Sequence, residues 1–351
     1  MTRPSPAIAA DPAALGAPRV LHDGLAMRPA APARDAAVPA RAGWPAPDRV
    51  AVISNARSHR NKITGLTAPR EDLAQLFATP RKPGELSAAL ARFAAAGIDL
   101  LVIDGGDGTV RDVITAAPQY FGDRLPRIAV VPSGKTNALA IDLGLPAGWT
   151  VPDAILAARA GRFASRAPIE IARAGDPAPP VRGFMFGAGA FVRATALAQR
   201  THRAGAFKGL AVGLSLTFAL GQTIFGSRSN AWRAGERMAI VTADGRAATR
   251  DFYILLGATL ENLPLGLKPF GRPRPGLKVL AVDAPPKAMA FHVPALLAGS
   301  ESERLRRAGY HHGDPQSFRL TLAGEFILDG EHYPGGELAI ATGAPIDFVT
   351  P

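Results

Sequence analysis

The chain of 351 residues contains no cysteine. Disulfide bridges and thiolate-bound zinc are therefore excluded, and the composition suits a reducing compartment. Aromatic residues make up only 7%. No internal repeat, coiled-coil pattern or nucleic-acid motif interrupts the sequence. Without a massed basic block interleaved with aromatics, nucleic-acid binding is not expected. The N-terminus lacks a sustained apolar segment, so a secretory signal peptide is not expected either. What the chain does have is base: the formal net charge is +11. That excess suits attraction to an anionic membrane surface or to a polyphosphate, and a general Arg-rich bias accounts for part of it. With 47% hydrophobic residues, the chain can fill a sizeable core, and its length suggests roughly two domains.

The stretch around which the rest is organised is residues 99–113, DLLVIDGGDGTVRDV. Its apolar run, Leu100 to Ile103, reads as a buried parallel strand. The chain then turns through Gly105, Gly106, Asp107, Gly108 and Thr109 into a helical pattern starting at Val110. Glycines at such a turn let backbone N–H groups approach a phosphate at a helix N-terminus. An acid within the loop would repel phosphate directly, so Asp107 implies a bridging Mg²⁺, held through water. The competing reading is a tight strand-to-helix turn that merely requires glycine.

Around this stretch the strand-turn-helix plan recurs. Residues 1–46, rich in Ala, Pro and Arg, read as a disordered tail. RVAVISN at 49–55 is a strand followed by the basic loop NARSHRNK. Asn55, Arg57, Ser58, Arg60 and Asn61 would then lie beyond a strand's carboxyl end, where ligands bind in open α/β sheets. Thr79 precedes a helix over 83–99, for which Gly97 is a natural C-terminal cap. RIAVVPSGKTNALAIDLG at 127–144 repeats the plan. Its Gly134-Lys135-Thr136 lacks the upstream glycine of a P-loop; Lys135 can still reach phosphate. After Phe163 the segments become short and alternating, including MFGAG, ERMAIVTA, LKVLAVDA and SFRLTLAG, which predicts a β-rich second domain. Residues 209–226 carry no charge and follow His202, Arg203 and Lys208. Eighteen residues reach only the lower edge of membrane-spanning length, and four glycines weaken that reading. A helix lining an acyl groove or lying on a membrane face is preferred, with a buried core helix as the alternative. His311, His312 and Asp314 do not make a tetrahedral metal set.

GGDGT after a strand, a P-S-G-x-T-N turn and a late DGE together resemble the diacylglycerol kinase catalytic-domain family. Diacylglycerol, sphingosine and ceramide kinases belong to it. The resemblance runs from about residue 49 to the C-terminus. It implies an α/β fold: a doubly wound N-terminal nucleotide-binding domain (47–162), a C-terminal β-sandwich-rich domain (163–342) and a cleft between them. It also implies that the last segment (343–351) returns to the first domain. Asn55, Ser58 and Thr79 resemble first-loop and second-helix nucleotide contacts. Gly106 through Asp112 resemble the GGDGT segment, and Gly134, Lys135 and Asn137 the third phosphate loop. Asp329 and Glu331 resemble the acids facing the acceptor hydroxyl, with Glu331 favoured as base. The implied activity is ATP- and Mg²⁺-dependent phosphorylation of a lipid alcohol, with Asp107 at the metal. The implied place is the cytoplasm, at the inner face of an anionic membrane. This sequence departs from the family at Lys135, where threonine is usual, at Ala138, where an acid is usual, and at Asp112, where glutamate is usual. Pro275 and Lys278 stand where some members hold a structural Mg²⁺, so that metal is not expected here. An NAD kinase-like enzyme and a catalytically silent lipid binder are the alternative readings.

Overall fold

A computed structural model describes residues 47, 49–55, 76–122, 124–203 and 233–351, the last seven of the 124–203 segment by their backbone. The tail 1–46, the loop residues Arg57, Ser58, Arg60 and Asn61, and the uncharged run 209–226 lie outside the described residues.

The first half alternates strand and helix. In order come β1 (Val50–Ser54), β2 (Phe77–Ala78), α1 (Pro83–Ala95), β3 (Leu100–Gly105), α2 (Asp107–Ala116), α3 (Pro118–Phe121), β4 (Arg127–Pro132), α4 (Ala138–Asp142), α5 (Val151–Arg159) and β5 (Phe163–Arg166). The whole of β3 is buried, as a central parallel strand covered on both faces must be. Its side chains alternate between two cores. Leu101 and Ile103 join Leu90, Phe93, Val113 and Ile114 on one face, whereas Leu100 and Val102 join Trp149, Ala154 and Ala157 on the other. Pro83 opens α1 and Gly97, at φ +63°, follows its end, as the sequence predicts.

The first sheet has the order β2-β1-β3-β4-β15-β5, where β15 is Ile346–Val349. The chain's last strand therefore returns to the first sheet, parallel to β4 and antiparallel to β5. Phe163–Arg166 pairs in this same sheet, just past the boundary read at residue 162; the alternating texture that marked the boundary is shared by this antiparallel edge strand.

The second sheet is antiparallel throughout. It contains β6 (Ile169–Arg173), β7 (Val181–Gly183), β8 (Met185–Gly189), β9 (Glu236–Thr242), β10 (Ala247–Ala258), β11 (Lys278–Asp283), β12 (Tyr310–Gly313), β13 (Ser317–Leu328) and β14 (Glu331–Thr342). Its path is β12-β11-β10-β8-β13-β14-β6-β7, with β9 pairing both β10 and β13. Among the described residues it is accompanied by α6 (Ala190–Arg203), α7 (Met289–Leu297) and α8 (Glu303–Arg307). The β-rich reading of this half includes a helix only over 209–226, so the helices at 190–203, 289–297 and 303–307 go beyond it. The apolar run at 289–297 has no alternation and too few polar residues to show a helical stripe. Among the described residues no helix is long and apolar enough to cross a membrane.

Candidate nucleotide and acceptor site

The loops after β3 and β4 meet beside Asn55, at the carboxyl ends of β1, β3 and β4. Asn55 leaves β1 with its N–H bonded to Asp104 O at 2.9 Å. Its side-chain amide donates to Thr109 Oγ1 at 2.8 Å. Beneath this pair, Ser54 Oγ donates to Asp104 Oδ2 at 3.0 Å, fully buried. Thr109 in turn fills the space that a Cβ on Gly105 would need. The second and third loops touch backbone to backbone: a Cβ on Gly134 would stand 2.5 Å from Gly106 Cα. Glycine is therefore required at this approach for steric reasons, independent of any ligand. Asn137, at φ +51°, closes the third loop by accepting from Gly134 N and donating to Gly134 O, each at 3.0 Å. Ser133 Oγ in the same loop is buried with no hydrogen-bond partner among the described residues. A buried hydroxyl with bonding capacity to spare, beside bare glycine backbone, is a lining that fits a polyanion.

The acids lie across the junction of the two sheets. Asp107 opens α2, and its carboxylate accepts from Ala138 N at 3.0 Å and Leu139 N at 3.3 Å. It thereby holds the first turn of α4 against α2. Burial raises its pKa, opposed by these backbone donors. Asp329 starts the turn between β13 and β14 in a left-handed conformation, φ +45°. Its two oxygens accept from Phe184 N and Met185 N at 2.9 to 3.2 Å. Burial, and next the charge of Asp107, pushes its pKa up to about 7.

Arg111, one turn along α2, connects these groups. Its side chain is only 7% exposed. It pairs with Asp112 at 2.7 Å, donates to Leu328 O at 3.3 Å and stands 3.8 Å from Glu331. Those neighbouring carboxylates raise its pKa against the cost of burial, so it stays charged. The helix after the glycine loop and the DGE turn are thus joined by one guanidinium. The sequence reading overlooked it, because an arginine beside an aspartate on a helix resembles any solvated pair.

The pKa of Asp329 gives a testable stability signature. An unfolded aspartate titrates near pH 4, so between about pH 4 and 7 the folded protein keeps a proton that the unfolded chain has lost. The stabilisation is complete below that window and is lost as pH rises through about 7. Asp329→Asn should therefore gain on wild type by up to a few kcal/mol between pH 5 and 8 in denaturant melts. Parallel curves for the two proteins would refute it.

Behind the site, Asp142 at the end of α4 ties the halves together. Its side chain is 0% exposed. It accepts from Arg166 Nε at 2.6 Å, from Glu261 N at 2.9 Å and from Asn262 N at 2.6 Å. Lys278, equally buried, donates from Nζ to Arg274 O at 2.8 Å, Gly276 O at 2.9 Å and Thr259 O at 3.3 Å. Burial and nearby Arg274 push its pKa down to about 8, against the pull of Glu261, Asp314 and Asp142. An ammonium thus fills the carbonyl cage in the region where the resemblance had raised the question of a metal.

The remaining residues singled out from the sequence fall in three groups. Thr79 follows β2, which runs parallel to β1, so it shares the carboxyl edge with Asn55, exposed. Gly108 lies in the first turn of α2, and Lys135 is exposed on the third loop. Ser58 lies outside the described residues. His311 and His312 face different partners, Asp283 and Pro269 O respectively, while Asp314 pairs with Arg274. No cluster of three or more potential metal ligands occurs among the described residues. A hydrated Mg²⁺ held by nucleotide phosphates with Asp107 nearby needs no such cluster, so the acids present fit that mode and not an all-protein cage.

Known proteins resemble this chain in its first half and in its fold. Residues 49–169 match the family described as diacylglycerol kinase catalytic domain. A 50-residue stretch is 38% identical to the protein named "Probable lipid kinase YegS" of Shigella flexneri, and equally so to that of Escherichia coli O1:K1. That stretch is 14% of this chain and spans 17% of those relatives. The crystal structure titled a "putative diacylglycerol kinase" from Bacillus anthracis superposes with a TM-score of 0.61 at 16% identity, covering 87% of this chain and 98% of that one. A diacylglycerol kinase structure from the same organism gives 0.57 at 15% identity, covering 87% and 97%. The part of the resemblance carried by GGDGT and PSGKTN lies within the matched residues 49–169, and the chain as a whole shares the two-part α/β and β-rich fold of the solved structures compared.

Proposed function

We propose that this protein is an ATP- and Mg²⁺-dependent lipid kinase, passing the γ-phosphoryl group to the hydroxyl of a lipid alcohol such as diacylglycerol, ceramide or a sphingoid base. The observation that carries the reading is Arg111, which links the helix after the glycine loop to the acid-bearing turn of the second sheet. That link supports reading the glycine loop as the nucleotide side and Glu331, 3.8 Å from the same guanidinium, as the acceptor side of one site.

The roles follow from the contacts. The backbone of Gly106, Gly108 and Gly134 cradles the phosphates, with Asn55, Thr109 and Asn137 fixing the loops and Lys135 free to neutralise charge. Asp112, more than half exposed, and Thr79 face the nucleotide side. Mg²⁺, when bound with ATP near Asp107, neutralises charge developing on the transferred group. Glu331 accepts the hydroxyl proton as the acceptor oxygen bonds to the γ-phosphorus and the bond to the β–γ bridging oxygen breaks, releasing ADP. Asp329 has both oxygens committed to backbone donors and so positions the turn. Glu331 has a carboxylate 61% exposed and is free to act. A lipid acceptor places the enzyme at a membrane, and the net charge of +11 supports a cytoplasmic protein on an anionic inner face.

The deciding experiment is transfer of γ-labelled phosphate from ATP to diacylglycerol, ceramide, a sphingoid base and NAD in mixed micelles. Label is expected on a lipid and absent without Mg²⁺. Label on NAD alone would move the protein to the dinucleotide-kinase branch. ATP binding with no labelled acceptor would leave a silent lipid binder as the better reading.

A further inference from the structure

Helix α7 has an unusual surface. Its inner side, Met289, His292, Val293 and Leu296, is buried against the second sheet. A helix so placed normally turns polar side chains outward. Here the outward positions are Ala290, Phe291, Pro294 and Ala295, all exposed and none able to hydrogen-bond or carry charge. Phe291 is 78% exposed. Leaving a phenyl ring in water forgoes most of the gain available from its burial.

The two ends of this stripe are basic. Lys287 lies exposed immediately before the helix. Lys268 lies at the other end, where its N–H donates to Leu297 O at 2.8 Å and its side chain packs along Gly299. Neither lysine is in an ion pair among the described residues. The loop that carries Lys268 also exposes Leu265, at 84%, in a left-handed conformation that a leucine rarely adopts. An apolar stripe with free cations at both ends complements one kind of surface: a sheet of anionic head groups above an acyl layer. A second protein chain would have to bring matched acids at both ends. The helix has nine residues, too short to span a bilayer and suited to lying in its surface.

We propose that the outer face of α7 docks onto an anionic lipid bilayer, Phe291 entering the acyl boundary and Lys268 and Lys287 meeting lipid phosphates. The lipid-kinase reading supplies the reason for such docking, since a membrane-embedded acceptor must be reached from the surface. The docking itself rests on the helix face and its flanking charges.

The test is co-sedimentation of the full chain with phosphatidylcholine vesicles, with and without phosphatidylglycerol, at low and high salt. In parallel, ATP-dependent phosphorylation of a short-chain, monomeric diacylglycerol is measured without vesicles. Phe291→Ser, at a solvent-exposed position, should weaken binding to phosphatidylglycerol vesicles about tenfold or more. The double change Lys268→Glu, Lys287→Glu should remove the preference for anionic vesicles and the salt dependence. Both should phosphorylate the soluble acceptor as wild type does. Wild-type vesicle binding unaffected by Phe291→Ser would overturn the proposal, as would no vesicle binding at low salt. A dimer dispersed by Phe291→Ser with vesicle binding unchanged would assign the face to a second copy instead and likewise overturn it. Loss of vesicle binding in the variants, from a wild type that phosphorylates no acceptor, would uphold the docking face and sink the kinase reading alone.

Discussion

Glu331→Gln will lower ATP-dependent phosphorylation of a lipid alcohol by about 10²- to 10⁴-fold and leave ATP binding unchanged. The substitution keeps the side chain's shape and removes its capacity to take a proton. Its only described ionic neighbour is Arg111 at 3.8 Å, and that guanidinium retains Asp112 and Leu328 O. The turn should therefore stay in place, so the loss falls on kcat and not on the fold. Asp329→Asn offers the contrast. It replaces one oxygen that accepts from a backbone N–H by a donor facing a donor, which shifts the turn and raises KM as well as lowering kcat. If Glu331→Gln kept most of its activity and Asp329→Asn lost nearly all of it with KM unchanged, the two acids would exchange roles.

The largest expected loss of stability is at Asp142. Asp142→Ala should cost about 3 to 5 kcal/mol in equilibrium denaturation, the usual penalty for stripping one member from a buried ion pair. Arg166 would be left largely buried with only the more distant Glu261 carboxylate, 3.5 Å away, and the N–H groups of Glu261 and Asn262 would lose their acceptor. Those donors belong to the second half of the fold, while Asp142 belongs to a helix of the first. The damage should therefore appear as loss of attachment between the halves, with nucleotide binding weakened less than acceptor phosphorylation. A cost below about 1 kcal/mol, the scale of an exposed ion pair, would show that the network is not coupled to folding.

Much of the local geometry of the candidate site was legible because glycine and acid requirements are local. GGDGT announced its turn by following a buried apolar run, and the structure adds why Gly106 and Gly134 are both needed: their backbones touch. DGE was legible as a hairpin, and Leu328 indeed pairs with Glu331 across it. The residues that bridge the halves were not legible. Arg111, Asp142 and Arg166 acquire their partners only through tertiary contact, and nothing in VRDV or AIDLG distinguishes a buried strut from a surface charge. The same holds for β13. The sequence showed SFRLTLAG and EFIL as separate segments, whereas the structure joins them into one strand through a bulge between Leu322 and Glu325, an irregularity that breaks the alternation.

The placement of β15 has a consequence for how the protein is made. Among the described residues this strand is the one sheet neighbour of β5, and it lies between β5 and β4. A ribosome releases the chain in order, so the first sheet waits with an open flank while the entire antiparallel half is synthesised. Closure of so distant a pairing carries a loop-entropy cost and favours slow completion. The antiparallel half therefore acts as an insert whose own folding brings the two ends of the first sheet together. A lesion in that insert should delay maturation of the nucleotide-side sheet even where every residue of that sheet is intact.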